Sequence, residues 1–284
     1  MTNPLLQKWS TPFEMPPFED IQAAHFPEAF NQALSHHQNE IQAIASQKQA
    51  PSFQNTLLAL EASGELLNQT SALFFNLSAS HTSPEIQAIE RDMSPKLAAH
   101  SAAMFLNAAL FERINKLHQE RTNLGLDAES IRLIERYHLD FVRAGANLKD
   151  KDRQTFANYS EKLASCFTQF SQNVLADEAA FCLVLTEADQ LKGLPDFVKS
   201  AAKQLAKERG LEQHNAHAFT LSRSSITPFM TFSERRDLRE SMWLAWCKRG
   251  ENPGAHNNET VMKEILKIRL AQARLLGYQN FSEY

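Results

Sequence analysis

Apolar residues recur every three or four positions along most of this chain, a spacing that restricts it largely to amphipathic helices. Glycine is scarce, at 8 of 284 residues, where average usage is about 7%. Few glycines leave few positions for turns with positive φ, so long helices are favoured over many short strands. Three of the stripes are Phe30, Leu34, His37, Ile41 and Ile44; Leu57, Leu60, Gly64, Leu67, Ser71, Phe74 and Leu77; and Phe156, Tyr159, Leu163, Cys166 or Phe167, Phe170 and Val174.

Local signals predict where the helices begin and end. The small residues Gly64 and Ser71 in the second stripe indicate close approach by a neighbouring helix. Pro95 lies inside a helical pattern, so we expect a kink or break there, and Gly210 should end a helix at its C′ position. The predicted starts, most of them capping residues, are Ser83, Asn107, Asp127, Asp150, Pro195, Ser233 and Asn258.

Two short segments depart from the helical pattern. Residues 181–185 and 218–222 favour β structure and have the length of strands. We therefore predict a mainly α protein, a multi-helix array of long antiparallel helices with a small two-stranded β ladder. The expected division is an N-terminal helical region, 1–176, followed by a mixed region, 177–284, across a soft boundary.

Composition narrows the class of partner. The net charge is −4, and the basic groups at 207–209 and 235–236 are broken up by acidic and apolar residues, so we expect no nucleic-acid partner. No apolar run approaches the roughly 18 residues that span a bilayer, and the N-terminus lacks a secretory signal pattern. Three widely spaced cysteines, Cys166, Cys182 and Cys247, suit free thiols in a reducing compartment. Cytoplasmic localisation and no membrane association are the expectations.

The histidines do not form a recognisable metal motif. A zinc peptidase holds its metal with two histidines four residues apart on a helix, beside a glutamate that activates water. None of the ten histidines is followed by glutamate, and no two lie four apart. The nearest substitute is Glu212, His214 and His217, but Gly210 ends the preceding helix, so solvated loop residues are the favoured interpretation. We expect no metal-binding or cofactor-binding residues in this chain.

Nucleophilic catalysis is equally unsupported by the sequence. There is no G-x-S-x-G motif, and the run from Ser222 to Ser225 is interpreted as a polar loop. The cysteines lack an adjacent basic group at a helix N-terminus, so packing roles are expected for them. The adjacent carboxylates Glu19-Asp20 and Asp177-Glu178 are interpreted as solvated caps. We expect no catalytic residues in the 284.

Several ordered pieces of the chain carry a family resemblance. They are Asn3-Pro4-Leu5 with Pro17-Phe18 and Glu28-Ala29-Phe30; Phe53-x-Asn55-Thr56 with Leu60-Glu61; Leu126-Asp127-x-Glu129-Ser130-x-Arg132-Leu133; Phe141-x-x-Ala144-Gly145-Ala146-x-Leu148; and the final passage from Arg235 to Leu275-Leu276-Gly277-Tyr278. The set resembles the first half of the zinc oligopeptidases of the thimet oligopeptidase kind. The bacterial peptidyl-dipeptidase (dipeptidyl carboxypeptidase) branch is favoured over the oligopeptidase A branch.

The resemblance implies a mostly helical zinc metallopeptidase whose halves enclose a narrow channel for short, flexible peptides. On this reading the chain supplies N-terminal helices of the channel wall and stops before the metal-binding region. Its expected partners are short peptides and the missing C-terminal catalytic half, and zinc is implied for the full-length relative only. The chain by itself is predicted to be inactive.

A second hypothesis is a freestanding helical module that binds peptides or another partner without catalysis. The two hypotheses differ physically. Half of an enzyme leaves apolar faces uncovered, which favours self-association or limited solubility. A module that folds independently should be monomeric and melt cooperatively.

Overall fold

Side-chain caps begin several helices at the residues that the sequence indicates. The structure, a computed structural model, describes residues 2–211 and 215–284. Ser83 Oγ accepts a hydrogen bond from the Ile86 amide at 3.2 Å, and Asn107 Oδ1 accepts one from Leu110 at 3.0 Å. Asp127 Oδ1 does the same for the amide of Ser130 at 2.7 Å. Because such caps use only nearby atoms, these three starts are confirmed.

Within the described residues the helices are α1 Phe26–Ala45, α2 Ala59–Glu61, α3 Glu65–Ser80, α4 Pro84–Phe105, α5 Ala108–Glu120, α6 Ala128–Arg143, α7 Asp150–Ala180, α8 Asp196–Glu208, α9 Arg223–Phe232, α10 Arg236–Cys247 and α11 Glu259–Leu275. A π-helical turn, Phe53–Leu58, leads into α2. Strands β1 Leu183–Leu185 and β2 His217–Phe219 pair antiparallel, with Val184 opposite Ala218. The predicted fold class, mainly α with one small ladder, is confirmed. None of the described helices is long and apolar enough to cross a bilayer.

The chain divides into two compact units. Unit 1 contains the residues up to Thr168 together with Ile265–Tyr284, and unit 2 is Gln169–Glu264. Unit 1 thus consists of two separate stretches of chain, with unit 2 inserted between them. The boundary that the sequence suggests at 176/177 stays a prediction.

Unit 1 has two apolar clusters. One joins α1, α5 and α6 around Ile41, Ile114 and Phe141. The other joins α1, α3 and α4, where Phe74 makes edge-on ring contacts with Phe26 at 5.1 Å and Phe30 at 5.3 Å. The first stripe is therefore confirmed: helix α1 contributes to both clusters.

The second stripe does not form one helix. Gly64 has φ of +75° and separates α2 from α3, so the stripe is divided between two helices. A Cβ at Gly64 would lie 3.0 Å from Cε1 of the His37 ring. The close approach predicted at Gly64 is thus made by a side chain of α1.

A buried arginine fixes the chain after α1. Arg113 on α5 is 6% exposed. Its Nη1 donates to the carbonyls of Gln47 at 3.2 Å and Gln49 at 3.0 Å. Its Nη2 donates to Asn55 Oδ1 at 2.8 Å and Thr56 Oγ1 at 3.1 Å. We call this set of four hydrogen bonds the Arg113 clamp, because it ties the loop after α1 and the π turn to α5.

Unit 2 places the small ladder beside α8 and α9. Phe219 and Phe229 bring their rings to 4.7 Å within a core that also contains Val198 and Met242. The ladder predicted from the sequence is confirmed, although both strands are shorter than expected and β2 begins one residue earlier. Gly210 follows α8 with φ of +69°, as predicted for a C′ glycine.

Three local expectations are corrected, and a fourth is narrowed. Helix α4 continues through Pro95 without a break, and the kink expected there stays a prediction. The run from Ser222 to Ser225 is the start of α9 and not a loop. Ser233 lies two residues before the N-cap of α10, Arg235. Asn258 precedes α11, but its Nδ2 donates to the Phe170 carbonyl of α7 at 3.0 Å, while Asn257 Oδ1 accepts from the Glu259 amide at 2.9 Å.

Candidate functional site

The described histidines do not assemble a metal site. In residues 2–211 and 215–284, no group of three or more His, Cys, Asp or Glu side chains could hold a metal ion. Of the alternative set, Glu212 and His214 lie outside the described residues. His217 is 6% exposed on β2, and burial lowers the pKa of His217, partly offset by a hydrogen bond with the Asn215 backbone. The described residues therefore do not fit a zinc ion, and we derive no reaction step through one.

Two histidines and a serine form a hydrogen-bonded row in unit 1. His37 Nε2 lies 3.2 Å from Ser63 Oγ, and His37 Nδ1 lies 2.9 Å from His100 Nε2. Desolvation by burial is the main cause that lowers the pKa of both histidines, and each also lies close to another histidine. The row joins α1 and α4 to the turn before α3.

The direction of these bonds excludes Ser63 as an activated nucleophile. Its hydroxyl proton is donated to the Leu60 carbonyl at 2.7 Å. His37 Nε2 must therefore donate to Ser63, which leaves His37 Nδ1 as the acceptor for His100. A base that activates serine must accept the serine proton, and here the imidazole donates one. The row therefore has a structural role: it holds α1, α4 and the turn before α3 together.

A second histidine pair lies between α5 and α6. The rings of His118 and His138 stack at 3.9 Å with an interplanar angle of 5°. His138 Nε2 is 3.2 Å from Asn115 Oδ1, an acceptor, so this nitrogen carries a proton. Burial is the main cause that lowers the pKa of both rings. These groups pack the helix hairpin. The nearby Glu135 carboxylate partly offsets the lowered pKa of His118, but it pairs with Arg121 at 3.2 Å and Arg132 at 3.3 Å.

The adjacent acids Asp177 and Glu178 hold a turn in unit 2. Asp177 Oδ2 accepts from the Gly250 amide at 2.8 Å and from Asn252 Nδ2 at 3.0 Å. Glu178 Oε2 lies 2.6 Å from Arg249 Nη1. The sequence interpretation of solvated caps is wrong, because these carboxylates bind groups about 70 residues away in the chain. All three cysteines are thiols outside any disulfide, as expected.

One cavity in unit 2 has the character of a binding site. It lies among α8, β2 and the start of α9, with a volume of ≈ 270 Å³. Apolar groups cover most of its wall, and no charged residue lines it. The lining residues are Phe197, Val198, Ala201, Ala202, Leu205, Ala218, Phe219, Thr220, Ser222, Ser224, Ser225 and Pro228. We call this cavity the α8–α9 pocket.

Hydroxyl groups line one side of the α8–α9 pocket. Thr220 Oγ1 lies 3.1 Å from Ser222 Oγ, which lies 3.3 Å from Ser224 Oγ. Ser225 Oγ accepts from the Thr220 amide at 2.9 Å. Although Ser222 occupies the N-cap position of α9, its side chain makes no cap hydrogen bond and belongs to this row. Helix α9 thus begins at the pocket and presents serines to it.

The sequence alone did not reveal this pocket. Its apolar wall includes two small residues of α8, the exposed Ala201 and the buried Ala202, which give no signal beyond a helical stripe. Its polar side comes from the serine run that the sequence suggested was a loop. The strand predicted at 218–222 was the one available signal, because it places alternate residues on one face.

Comparisons with known proteins identify relatives along the whole chain. Residues 229–284, from the end of α9 through α11, match Peptidase family M3. The dipeptidyl carboxypeptidase of Salmonella typhimurium is 36% identical over 283 residues, which cover 100% of this chain and 41% of that protein. The dipeptidyl carboxypeptidase of Escherichia coli is 34% identical over 282 residues, 99% of this chain and 41% of that protein.

A related enzyme is more distant. Oligopeptidase A of Escherichia coli is 28% identical over 286 residues, covering 99% of this chain and 41% of that protein. The chain therefore spans about 41% of the length of these curated relatives. The higher identity to the two dipeptidyl carboxypeptidases agrees with the branch that the sequence pieces favour.

Proposed function

We propose that this chain, which corresponds to the N-terminal portion of peptidase family M3 proteins, forms a non-catalytic wall of the substrate channel in a zinc metallopeptidase. The complete enzyme would hydrolyse short peptides, release dipeptides from their C-termini and work in the cytoplasm. Zinc and the catalytic residues would be supplied by the C-terminal half, the expected partner of this chain.

One observation carries this proposal: the similarity extends over all of this chain but over only 41% of the dipeptidyl carboxypeptidase of Salmonella typhimurium. The sequence contains no H-E-x-x-H motif, which is the usual zinc-binding arrangement on a helix of such peptidases. A peptidase built on this chain would therefore place its water-activating chemistry outside these 284 residues. The part of the chain that the structure describes contributes packed helices and the uncharged α8–α9 pocket.

The test is cleavage of a blocked oligopeptide, followed by mass spectrometry of the released dipeptide. The 284-residue chain alone should show no zinc-dependent release. The same chain, continuous with or mixed with an M3 catalytic portion, should release dipeptides until a chelator removes the metal. Turnover by the chain alone, with one tightly held zinc per molecule, would contradict the proposal.

The second candidate is a freestanding peptide-binding module, and the α8–α9 pocket is the observation that favours it. Exposed apolar side chains favour the first candidate, because they suit a covered or self-associating surface. They include Phe197 at 64% and Trp243 at 54% in unit 2, and Leu266 at 66% in unit 1. Sedimentation velocity separates the two candidates: self-association is expected for the enzyme portion, and a monomer with cooperative melting for the module.

A further inference from the structure

We infer that the α8–α9 pocket binds one uncharged, apolar side chain of a peptide. The inference rests on the proposed function for the class of ligand, a peptide, and on the structure for the part of that peptide that enters. It assigns a binding site to unit 2, whatever the location of the catalytic groups.

The size of the pocket suits a single side chain. Its volume, ≈ 270 Å³, is just below the roughly 300–1,000 Å³ that holds a whole small molecule. Val198, Ala202, Ala218 and Phe219 are buried and form the floor. A side chain that enters exchanges water for apolar contacts on several sides, which favours binding.

The absence of charge in the lining selects the chemistry of the occupant. None of its 12 residues is Asp, Glu, Lys, Arg or His. Moving an ammonium or carboxylate group into such a pocket costs free energy that no opposite charge there compensates. An aliphatic or aromatic side chain pays no such cost.

The hydroxyl row suits the main chain of a peptide. Thr220, Ser222 and Ser224 have three O–H groups but share two hydrogen bonds, so one O–H and several lone pairs remain for a ligand. A peptide group carries one N–H and one C=O, which need such partners once they leave water. Phe197, 64% exposed beside the pocket, offers a ring face or edge to an incoming side chain.

The probe is N-acetyl-Ala-Phe-Ala-amide, compared with the peptides that carry Gly or Lys in place of Phe. Isothermal titration calorimetry on the 284-residue chain measures each affinity. Burying one phenylalanine side chain should make the Phe peptide bind about 10- to 100-fold more tightly than the Gly peptide. The Lys peptide should bind no better than the Gly peptide.

Ala201→Trp tests the location of the site. Ala201 is an exposed residue of α8 that lines the pocket, so an indole there fills the space without replacing a core group. The affinity for the Phe peptide should fall to that of the Gly peptide. Gln204→Trp, at an exposed position of the same helix outside this pocket, is the matched control and should leave the affinity unchanged.

Ser224→Ala provides a second, milder variant in case Ala201→Trp does not fold, as judged by circular dichroism. Losing one neutral hydrogen-bonding group should weaken binding of all three peptides by about two- to tenfold. Equal binding of the Phe and Gly peptides, or full affinity in Ala201→Trp, would overturn the inference. The inference would also be overturned if the wild-type chain bound no peptide and self-associated, and if Ala201→Trp abolished that self-association. The occupant of the pocket would then be a second copy of this chain.

The cleavage assay keeps the two proposals apart. If the longer protein released dipeptides in a zinc-dependent reaction but Ala201→Trp had no effect on peptide affinity, the proposed function would be supported and the inference about the α8–α9 pocket would be refuted. If the chain bound the Phe peptide selectively but the longer protein released no dipeptide, the inference about the pocket would be supported and the proposed function would be refuted.

Discussion

Replacing Arg113 by methionine should destabilise the protein more than any surface substitution of the same kind. Methionine retains much of the volume of the aliphatic stem, so little cavity is formed, but all four hydrogen bonds of the Arg113 clamp are lost. No carboxylate is among the acceptors of those four bonds, so none of these acceptors is left as an unpaired charge. The net effect combines the loss of the clamp with the removal of a desolvated guanidinium, whose buried Nε has no hydrogen-bond partner among the described residues.

The size of the destabilisation depends on the acceptors that lose their hydrogen bonds to Arg113. Asn55 Oδ1 keeps two donors, the Ser52 amide and the Thr56 hydroxyl, each at 2.8 Å. Gln49 is exposed, so water can replace the guanidinium at its carbonyl. The Gln47 carbonyl and the Thr56 hydroxyl oxygen lose a partner in less accessible surroundings. At about 1–3 kcal/mol for each unsatisfied group, the free energy of unfolding should fall by roughly 2–5 kcal/mol.

Urea unfolding followed by circular dichroism measures this change through the linear dependence of the free energy on denaturant. Arg113→Lys should lose nearly as much, because three donors on one nitrogen cannot span two pairs of acceptors. Arg132→Met is the matched control: that side chain is 71% exposed and pairs with Glu135 at 3.3 Å, so a change below about 1 kcal/mol is expected. If Arg113→Met and Arg132→Met were equally stable, the reasoning about the clamp would be refuted.

Four further substitutions test three other features. Gly64→Ala and Gly210→Ala should each lower the free energy of unfolding by about 1–2 kcal/mol, because alanine is strained in a left-handed conformation. At Gly64 the new methyl also meets the His37 ring and should cost roughly 1–3 kcal/mol more, whereas the space around Gly210 is open. Equal losses in urea unfolding would show that the contact with His37 is unimportant. The pKa values of His37 and His100 are lowered in the folded protein, so just below pH 6.5 the unfolded chain binds more protons than the folded one. The stability that these two neutral histidines contribute should therefore be fully present above pH 6.5 and be lost as the pH falls through their folded-state pKa values. His100→Gln keeps a donor without titrating and should flatten this decline between pH 7 and pH 5; an unchanged slope would contradict the assignment. Asn107→Ala removes the cap of α5 and should lower stability by about 0.5–2 kcal/mol, measured by the same unfolding; no loss would mean that this hydrogen bond is replaced by water.

Features that depend on nearby residues were predicted well from the sequence. The caps at Ser83, Asn107 and Asp127 involve atoms three residues apart, so the local pattern contains all the necessary information. The same holds for Gly210, whose positive φ ends α8. The presence of the β ladder was also predictable, because β-favouring runs are rare in this chain.

Features that depend on distant residues were not predictable in this way. Helix α9 contains Pro228 and a serine-rich start, which argue against a helix locally, yet its apolar residues Ile226 and Phe229 are buried in the core of unit 2. The Asn258 side chain binds α7 instead of capping α11. Periodicity could not distinguish one helix from two around Gly64, because the stripe continues in phase across the turn.

The candidate site follows the same division. The absence of an H-E-x-x-H motif can be read directly from the sequence, and it predicts that these 284 residues contain no zinc site of that type. The α8–α9 pocket is made by residues from 197 to 228 whose identities are ordinary, alanines and serines above all. Only the packing of α8 against β2 turns them into a cavity.

The arrangement of unit 1 as two stretches of chain has a consequence for biosynthesis. Its last residues contact its first stretch: Gln272 Nε2 donates to Ser160 Oγ at 3.2 Å, and the Arg269 guanidinium lies 5.1 Å from the Phe167 ring. A ribosome delivers all of Gln169–Glu264 before these partners emerge. The nascent chain must therefore wait with that surface of α7 open, a state in which chaperones and premature association compete.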